Sequence, residues 1–163
     1  MSNHLLRPVA VAALLLSAGC DADVVQGCTL IGTPVGIGIV VRHAEVRDVA
    51  MEVCWAGSCV TPSVELHPSS RVGGTTCTGA APDDTCGARS EPTGELSGFA
   101  QVEDLPAEPV SVRLSLSDQS GSALVEREIA VTPEMAHPNG PNCPAGGPQA
   151  RIAVEPDGSV TEQ

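Results

Sequence analysis

Val110-Ser-Val-Arg-Leu-Ser-Leu-Ser117 alternates apolar and polar side chains without a break, and its reading decides the fold. Successive side chains of a strand point to opposite faces. Val110, Val112, Leu114 and Leu116 therefore form a dry face, and Ser111, Arg113, Ser115 and Ser117 a wet one. Downstream, Asp118-Gln-Ser-Gly121 has turn chemistry, and residues 124–131 return as the partner strand of a hairpin. Glu126-Arg127-Glu128 breaks the apolar pattern of that partner, as expected of an edge strand or a bulge. Upstream, Ile37, Ile39 and Val41 repeat with period two, and so do Val49, Met51, Val53 and Trp55. Residues 60–66 read as a weaker strand, and residues 96–102 as one carrying Phe99. Residues 151–154 and 159–161 flank Pro156-Asp157-Gly158 as a second hairpin. Short strands separated by turn signals predict an all-β fold, an antiparallel β-sandwich.

The sandwich resembles immunoglobulin-like or fibronectin-like domains in architecture only. Trp55 lies too far beyond Cys28 for the immunoglobulin Cys…Trp…Cys spacing, and a chain without tyrosine cannot form a tyrosine corner. Two stretches carry no strand signal. Residues 67–93 are rich in Gly, Pro, Ser and Thr, and residues 133–148 in Pro and Gly; both are expected to be long connections.

Cysteines are expected to stiffen this fold. The core must come from small apolar side chains, because Trp55 and Phe99 are the only aromatics. Beyond Cys20 there are six cysteines, an even number that reads as a disulfide framework with fifteen connectivities. Cys54-Trp-Ala-Gly-Ser-Cys59 has a turn-like centre, so Cys54 and Cys59 can face each other across a hairpin. Cys77 and Cys86 bracket a turn-rich segment, which leaves Cys28 to pair with Cys143. No C-x-x-C pair is present, and the spacings do not match zinc ligation.

At the N-terminus an apolar run, residues 9–16, closes on Ser17-Ala18-Gly19-Cys20. The run is too short to span a bilayer. Together with the small residues before Cys20 it resembles the lipobox of bacterial lipoprotein precursors, with Ser17 where that family prefers Leu, Val or Ile. The resemblance implies a signal peptide over residues 1–19 and a diacylglyceryl anchor on Cys20. A tether then covers residues 20–27 and a single domain residues 28–163. It also implies a lipid-anchored protein on the extracytoplasmic face of the cell membrane. Two acyl chains meet the requirement for stable anchoring.

Charge narrows the function. Twenty acidic residues stand against eight basic ones, all arginine, for a net charge of -12. Such a surface repels phosphate, so nucleic acid is not an expected partner. The absence of lysine removes P-loop, Schiff-base and Ser-x-x-Lys chemistry. Gly36-Ile-Gly-Ile lacks the third glycine of a dinucleotide fingerprint and reads as strand. His43, His67 and His137 are scattered, and Met51 falls on a core face, so neither a histidine site nor a copper site is expected. Asp83-Asp84, Asp118 and Asp157 sit in turn sequences, and none follows the EF-hand loop. There is no Gly-x-Ser-x-Gly, and oxidised cysteines are inert as nucleophiles. The expectation is a binding or structural module of the cell envelope with no catalytic residues, metal or cofactor. A small-ligand or metal carrier and an envelope hydrolase are the alternatives. Binding residues concentrate on loops held by a rigid scaffold. An envelope protein partner is therefore expected to contact Arg71, Asp83, Asp84 and Arg89 in residues 67–93.

Overall fold

The computed structural model describes residues 27–29 and 31–163. Cys20 and residues 1–26 as a whole, including all but the last residue of the expected tether, lie outside the described residues. The described chain is all-β. Its strands are β1 (Gly36–Val41), β2 (Asp48–Trp55), β3 (Ser58–Val60), β4 (His67–Cys77), β5 (Cys86–Gln101), β6 (Val110–Ser117), β7 (Ala123–Val131), β8 (Glu134–Met135), β9 (Pro148–Val154) and β10 (Val160–Glu162). They form two sheets. One runs β10-β9-β1-β5-β4 with β8 against β9, and the other runs β3-β2-β6-β7.

The alternation read from sequence places the core. Ile37, Ile39 and Val41 of β1 join Val49, Met51 and Val53 of β2 and Val110, Val112, Leu114 and Leu116 of β6 in one buried apolar cluster lined by both sheets. Each fully buried side chain of this size stabilises the fold by roughly 1.5–3 kcal/mol. No polar or charged side chain is buried among the described residues to offset that gain. β7 is the outer strand of its sheet, and its pairing with β6 shifts register between Leu116 and Ser117. The charged triplet Glu126-Arg127-Glu128 thus lies on a strand that is both an edge and bulged. Exposed charge there blocks pairing with a further chain.

All three disulfides join the cysteines that spacing suggested: Cys28–Cys143, Cys54–Cys59 and Cys77–Cys86. Cys54 and Cys59 are direct cross-strand partners of β2 and β3. The turn between these strands has positive φ at both central residues, 48° at Ala56 and 79° at Gly57. That is the primed geometry whose twist matches a two-residue hairpin.

Four expectations need correction. First, the sheets are not wholly antiparallel, because β1 runs parallel to β9 from Gly36↔Gln149 to Val41↔Val154. Period two marks which face of a strand is buried and carries no information about direction. Second, residues 60–66 are not a strand; β3 stops at Val60, and the chain continues irregularly to β4. Third, residues 67–93 are not a structureless connection. They form most of a long hairpin, β4 with the first half of β5. Its signal was invisible because no face of this segment packs on the core, so nothing selects apolar residues at alternate positions. Fourth, the connection over residues 133–148 contains the short strand β8, paired with β9 through Glu134↔Gln149 and Met135↔Pro148.

Candidate functional site

Register locates the hairpin on the molecule. β1 pairs with β5 from Gly36↔Gln101 to Val41↔Leu96, so residues 86–95 extend beyond the far end of β1. β4 accompanies them out to Cys77↔Cys86. At about 3.3 Å per residue this arm is roughly 30 Å long, against roughly 20 Å for β1. The N-terminal segment meets the body at the opposite pole. There the Val102 N–H donates to the Val35 carbonyl at 3.0 Å, and Gln149 Nε2 donates to the Pro34 carbonyl at 2.7 Å. The arm and the Pro34-Val35 segment therefore lie at opposite ends of the domain.

The arm adds nothing to the core: no buried apolar residue lies between Val53 and Ala100. Backbone pairing and the Cys77–Cys86 bond hold it together. At its root, Arg42 bridges Glu95 of β5 and Glu155 beyond β9, at 2.8 and 2.6 Å. The hydrogen bond to Glu95 is the main reason the Arg42 pKa is raised. With both side chains about a third exposed, solvent screens the pair, and the cluster serves to position the arm root.

The four expected contact residues all lie on the arm, and they divide into two groups. Arg71 of β4 stands opposite Glu91 of β5, with Nη2 3.7 Å from Oε2. Arg89 of β5 borders a trough of about 490 Å³ whose floor includes Gly74 and Gly87. Beyond the disulfide, Asp83 is exposed at the tip. Asp84 accepts the Ala81 N–H at 2.6 Å and the Thr78 hydroxyl at 3.3 Å, so its carboxylate builds the tip turn. The two arginines share the shaft, while the two aspartates sit past the staple.

The arginines can be told apart by what holds them. Arg42, Arg71 and Arg113 are ion-paired, the last with Glu52 at 3.1 Å and Glu128 at 3.3 Å. Arg47 donates to the Ala44 and Val46 carbonyls, and Arg127 to the Glu126 carbonyl. Arg89 and Arg151 have no such partner among the described residues. Arg89 and Arg151 are thus the two described arginines whose guanidinium groups meet neither a carboxylate nor a backbone carbonyl. Arg89 borders the arm trough, and Arg151 borders a second trough of about 470 Å³ on the outer face of the larger sheet. Sequence reasoning did not single out Arg151. The only available signal was the glycine pair at Gly36 and Gly38, which breaks an otherwise apolar strand at alternate positions.

Elsewhere the polar groups serve local structure. Asp118 accepts the Ser120 hydroxyl and the Ser120 and Ser122 N–H groups, which hold its pKa low. Asp157 is held low in the same way by the Ser159 hydroxyl and N–H. Ser111 and then Arg113 lower Glu128. Among the described residues, one group of three potential metal ligands converges, Glu52 with Cys54 and Cys59. Its two sulfurs are bonded to each other and offer no thiolate. His43, His67 and His137 do not come together among the described residues. No helix of the described chain is long and apolar enough to cross a membrane. No family model, curated protein or solved structure matches this chain.

Proposed function

We propose that this chain is a lipid-anchored, extracytoplasmic binding module of the bacterial cell envelope, and that the β4–β5 arm is its partner-binding element. The two sheets would face each other as a β-sandwich, immunoglobulin-like or fibronectin-like in architecture; the shared apolar cluster supports this reading. The lipobox-like sequence ending at Cys20 supports the anchor. The carrying observation is the arm itself. It projects from the pole opposite Pro34 and Val35 and is absent from the core, yet it is stapled and braced. A segment outside the core whose conformations a cross-link and an ion-pair cluster restrict is suited to recognition, because less entropy remains to be lost on binding. Held by its lipid, such a module would direct the arm away from the membrane. Arg89, unpaired on the shaft, would be the first contact for an acidic group on a protein partner.

The test uses the full chain in cells. A photo-cross-linking amino acid replaces Asp83 or Ser90 on the arm, or Ser159 on the body, in an otherwise unchanged protein. Capture of the same protein from the two arm positions and not from Ser159 supports the reading; equal capture from all three, or none from the arm, overturns it. The anchor is checked separately by intact mass: wild-type protein carries the diacylglyceryl group on Cys20, and Cys20→Ala does not. A mature wild-type chain without acyl mass refutes the anchor and leaves the arm assignment standing.

A further inference from the structure

The outer face of the larger sheet carries a second site, which does not depend on the arm. Its centre is a glycine. Gly38 pairs with Phe99 on one side and with Arg151 on the other, so three adjacent strands present Arg151, Gly38 and Phe99 in one row. A Cβ at Gly38 would lie 3.9 Å from Arg151 Nε and 3.9 Å from Phe99 Cδ2. The guanidinium and the ring thus flank a bare backbone floor, each within van der Waals reach of it. Phe99 also lies over Gly36, where a Cβ would stand 2.9 Å from Phe99 Cε1. The two glycines let the only phenylalanine of the sequence lie down against the sheet. Its ring is outside the core cluster.

The rim supplies the other functions. Glu134, opposite Gln149 and so on the face of Arg151, borders the same trough of about 470 Å³, as do Met135 and Glu162. Glu162 Oε1 accepts the Thr132 N–H at 2.6 Å, which fixes that carboxylate in place. One site therefore holds an unpaired cation, an apolar ring and two carboxylates. A simple anion would meet the carboxylates, and a simple cation would meet Arg151. Charge complementarity selects a ligand that carries both signs and an apolar body.

We propose that this trough binds a small zwitterion with an apolar side chain, of the class of free α-amino acids. The ligand carboxylate pairs with Arg151, its ammonium group faces Glu134 and Glu162, and its side chain lies on Phe99 above Gly38. The trough volume falls within the usual range of about 300–1,000 Å³ for small-molecule sites. Being open to solvent, the site should hold a ligand of this size with a dissociation constant of about 0.1–1 mM.

Titration calorimetry on the purified full chain tests this with L-leucine, N-acetyl-L-leucine and L-leucinamide. L-leucine should bind in the stated range, and loss of either charge in the two analogues should weaken binding at least tenfold. Arg151→Gln should weaken L-leucine at least tenfold and abolish its advantage over L-leucinamide. Gly38→Val places methyl groups in the floor and should remove binding. Gly38 has an ordinary strand conformation on an outward-facing position, so the variant should keep the wild-type thermal midpoint, checked by circular dichroism. Glu134→Gln should reduce the advantage of L-leucine over its N-acetyl form. No heat from L-leucine up to 10 mM, equal affinity for the three ligands, or wild-type affinity in folded Arg151→Gln or Gly38→Val each overturns the proposal.

Discussion

The three disulfides should contribute very unequally, and the ranking follows from where each closes the chain. In the loop-entropy relation a cross-link removes 2.1 + 1.5R ln n cal/mol/K from the unfolded chain. For Cys28–Cys143, with a sequence separation of 115, this gives about 4.8 kcal/mol at 25 °C. For Cys77–Cys86 and Cys54–Cys59, with separations of 9 and 5, it gives about 2.6 and 2.0 kcal/mol. The structure alters this order in one respect. The loop relation applies to global unfolding, whereas the arm around Cys77–Cys86 contributes no core residue and can open by itself. Paired Cys→Ala substitution at Cys28 and Cys143 should therefore lower the melting temperature by about 15–20 °C, at roughly 3–5 °C per kcal/mol for a domain of this size. The same substitution at Cys77 and Cys86 should lower it by less than about 5 °C, while amide exchange over residues 70–92 accelerates. Differential scanning calorimetry and hydrogen exchange measure the two effects. An equal or larger midpoint loss for the Cys77/Cys86 variant would show that the arm is coupled to the core and would refute the reasoning.

Replacing residues 71–91 by Asn-Gly joins Ser70 to Pro92, which are cross-strand partners, and should leave the melting temperature within about 5 °C of wild type by circular dichroism. Ala56 holds a left-handed conformation at φ 48°, so Ala56→Asn should stabilise the protein by about 1 kcal/mol in urea unfolding, Asn being the better residue there. Asp118, Asp157 and Glu128 have folded pKa values below their ordinary ones. Their contribution is complete above the unfolded carboxylate range of about 4 and is lost as pH falls through the lower folded values. The urea midpoint should thus be unaffected by these three groups between pH 7 and 5 and fall below about pH 4, with a smaller acid loss in Asp118→Asn; an equal loss in that variant counts against the assignment.

What sequence made legible was burial, and it did so only where burial is one-sided. Val110 to Leu116 and Val49 to Val53 alternate because one face is dry and the other wet, and both segments form strands with that face inward. The edge character of β7 was legible because charge in an otherwise apolar strand has few other structural explanations. The arm was not legible. Arg71↔Glu91 and Val72↔Ser90 are paired by backbone and flank, with both faces wet, so the segment resembles a loop in composition. Cysteine locality nevertheless marked where its tip closes, and the four charged residues named from sequence do lie on it. The second trough was hidden for another reason. Its floor and walls, Gly38, Phe99 and Arg151, are 113 positions apart at the extremes and become neighbours only through the parallel β1–β9 pair. That pairing direction was the feature period two could not report.

Both proposed sites depart from what stability alone would select, and the departures are of different kinds. The core is built from Val, Ile, Leu and Met, with Trp55 partly buried against it. A buried Phe would add more apolar area than any of the aliphatic residues there. The only phenylalanine nevertheless lies on the outer face, over two glycines that weaken β1 as a strand. The arm departs in length: residues 71–91 bury no apolar surface in the core, so their conformational entropy is offset by a backbone ladder, one cross-link and a few exposed polar contacts. Positions that break local rules without a gain in packing are where function is expected to reside. The two departures are also spatially separate, the trough around Gly36 and Gly38 and the arm beyond Val41. A ligand in the trough therefore has no direct contact with a partner on the arm. Coupling between them would have to pass along β1 and β5 to the Arg42–Glu95–Glu155 cluster at the arm root. Saturating L-leucine should then leave amide exchange over residues 70–92 unchanged, and slowed exchange would show that the cluster transmits occupancy.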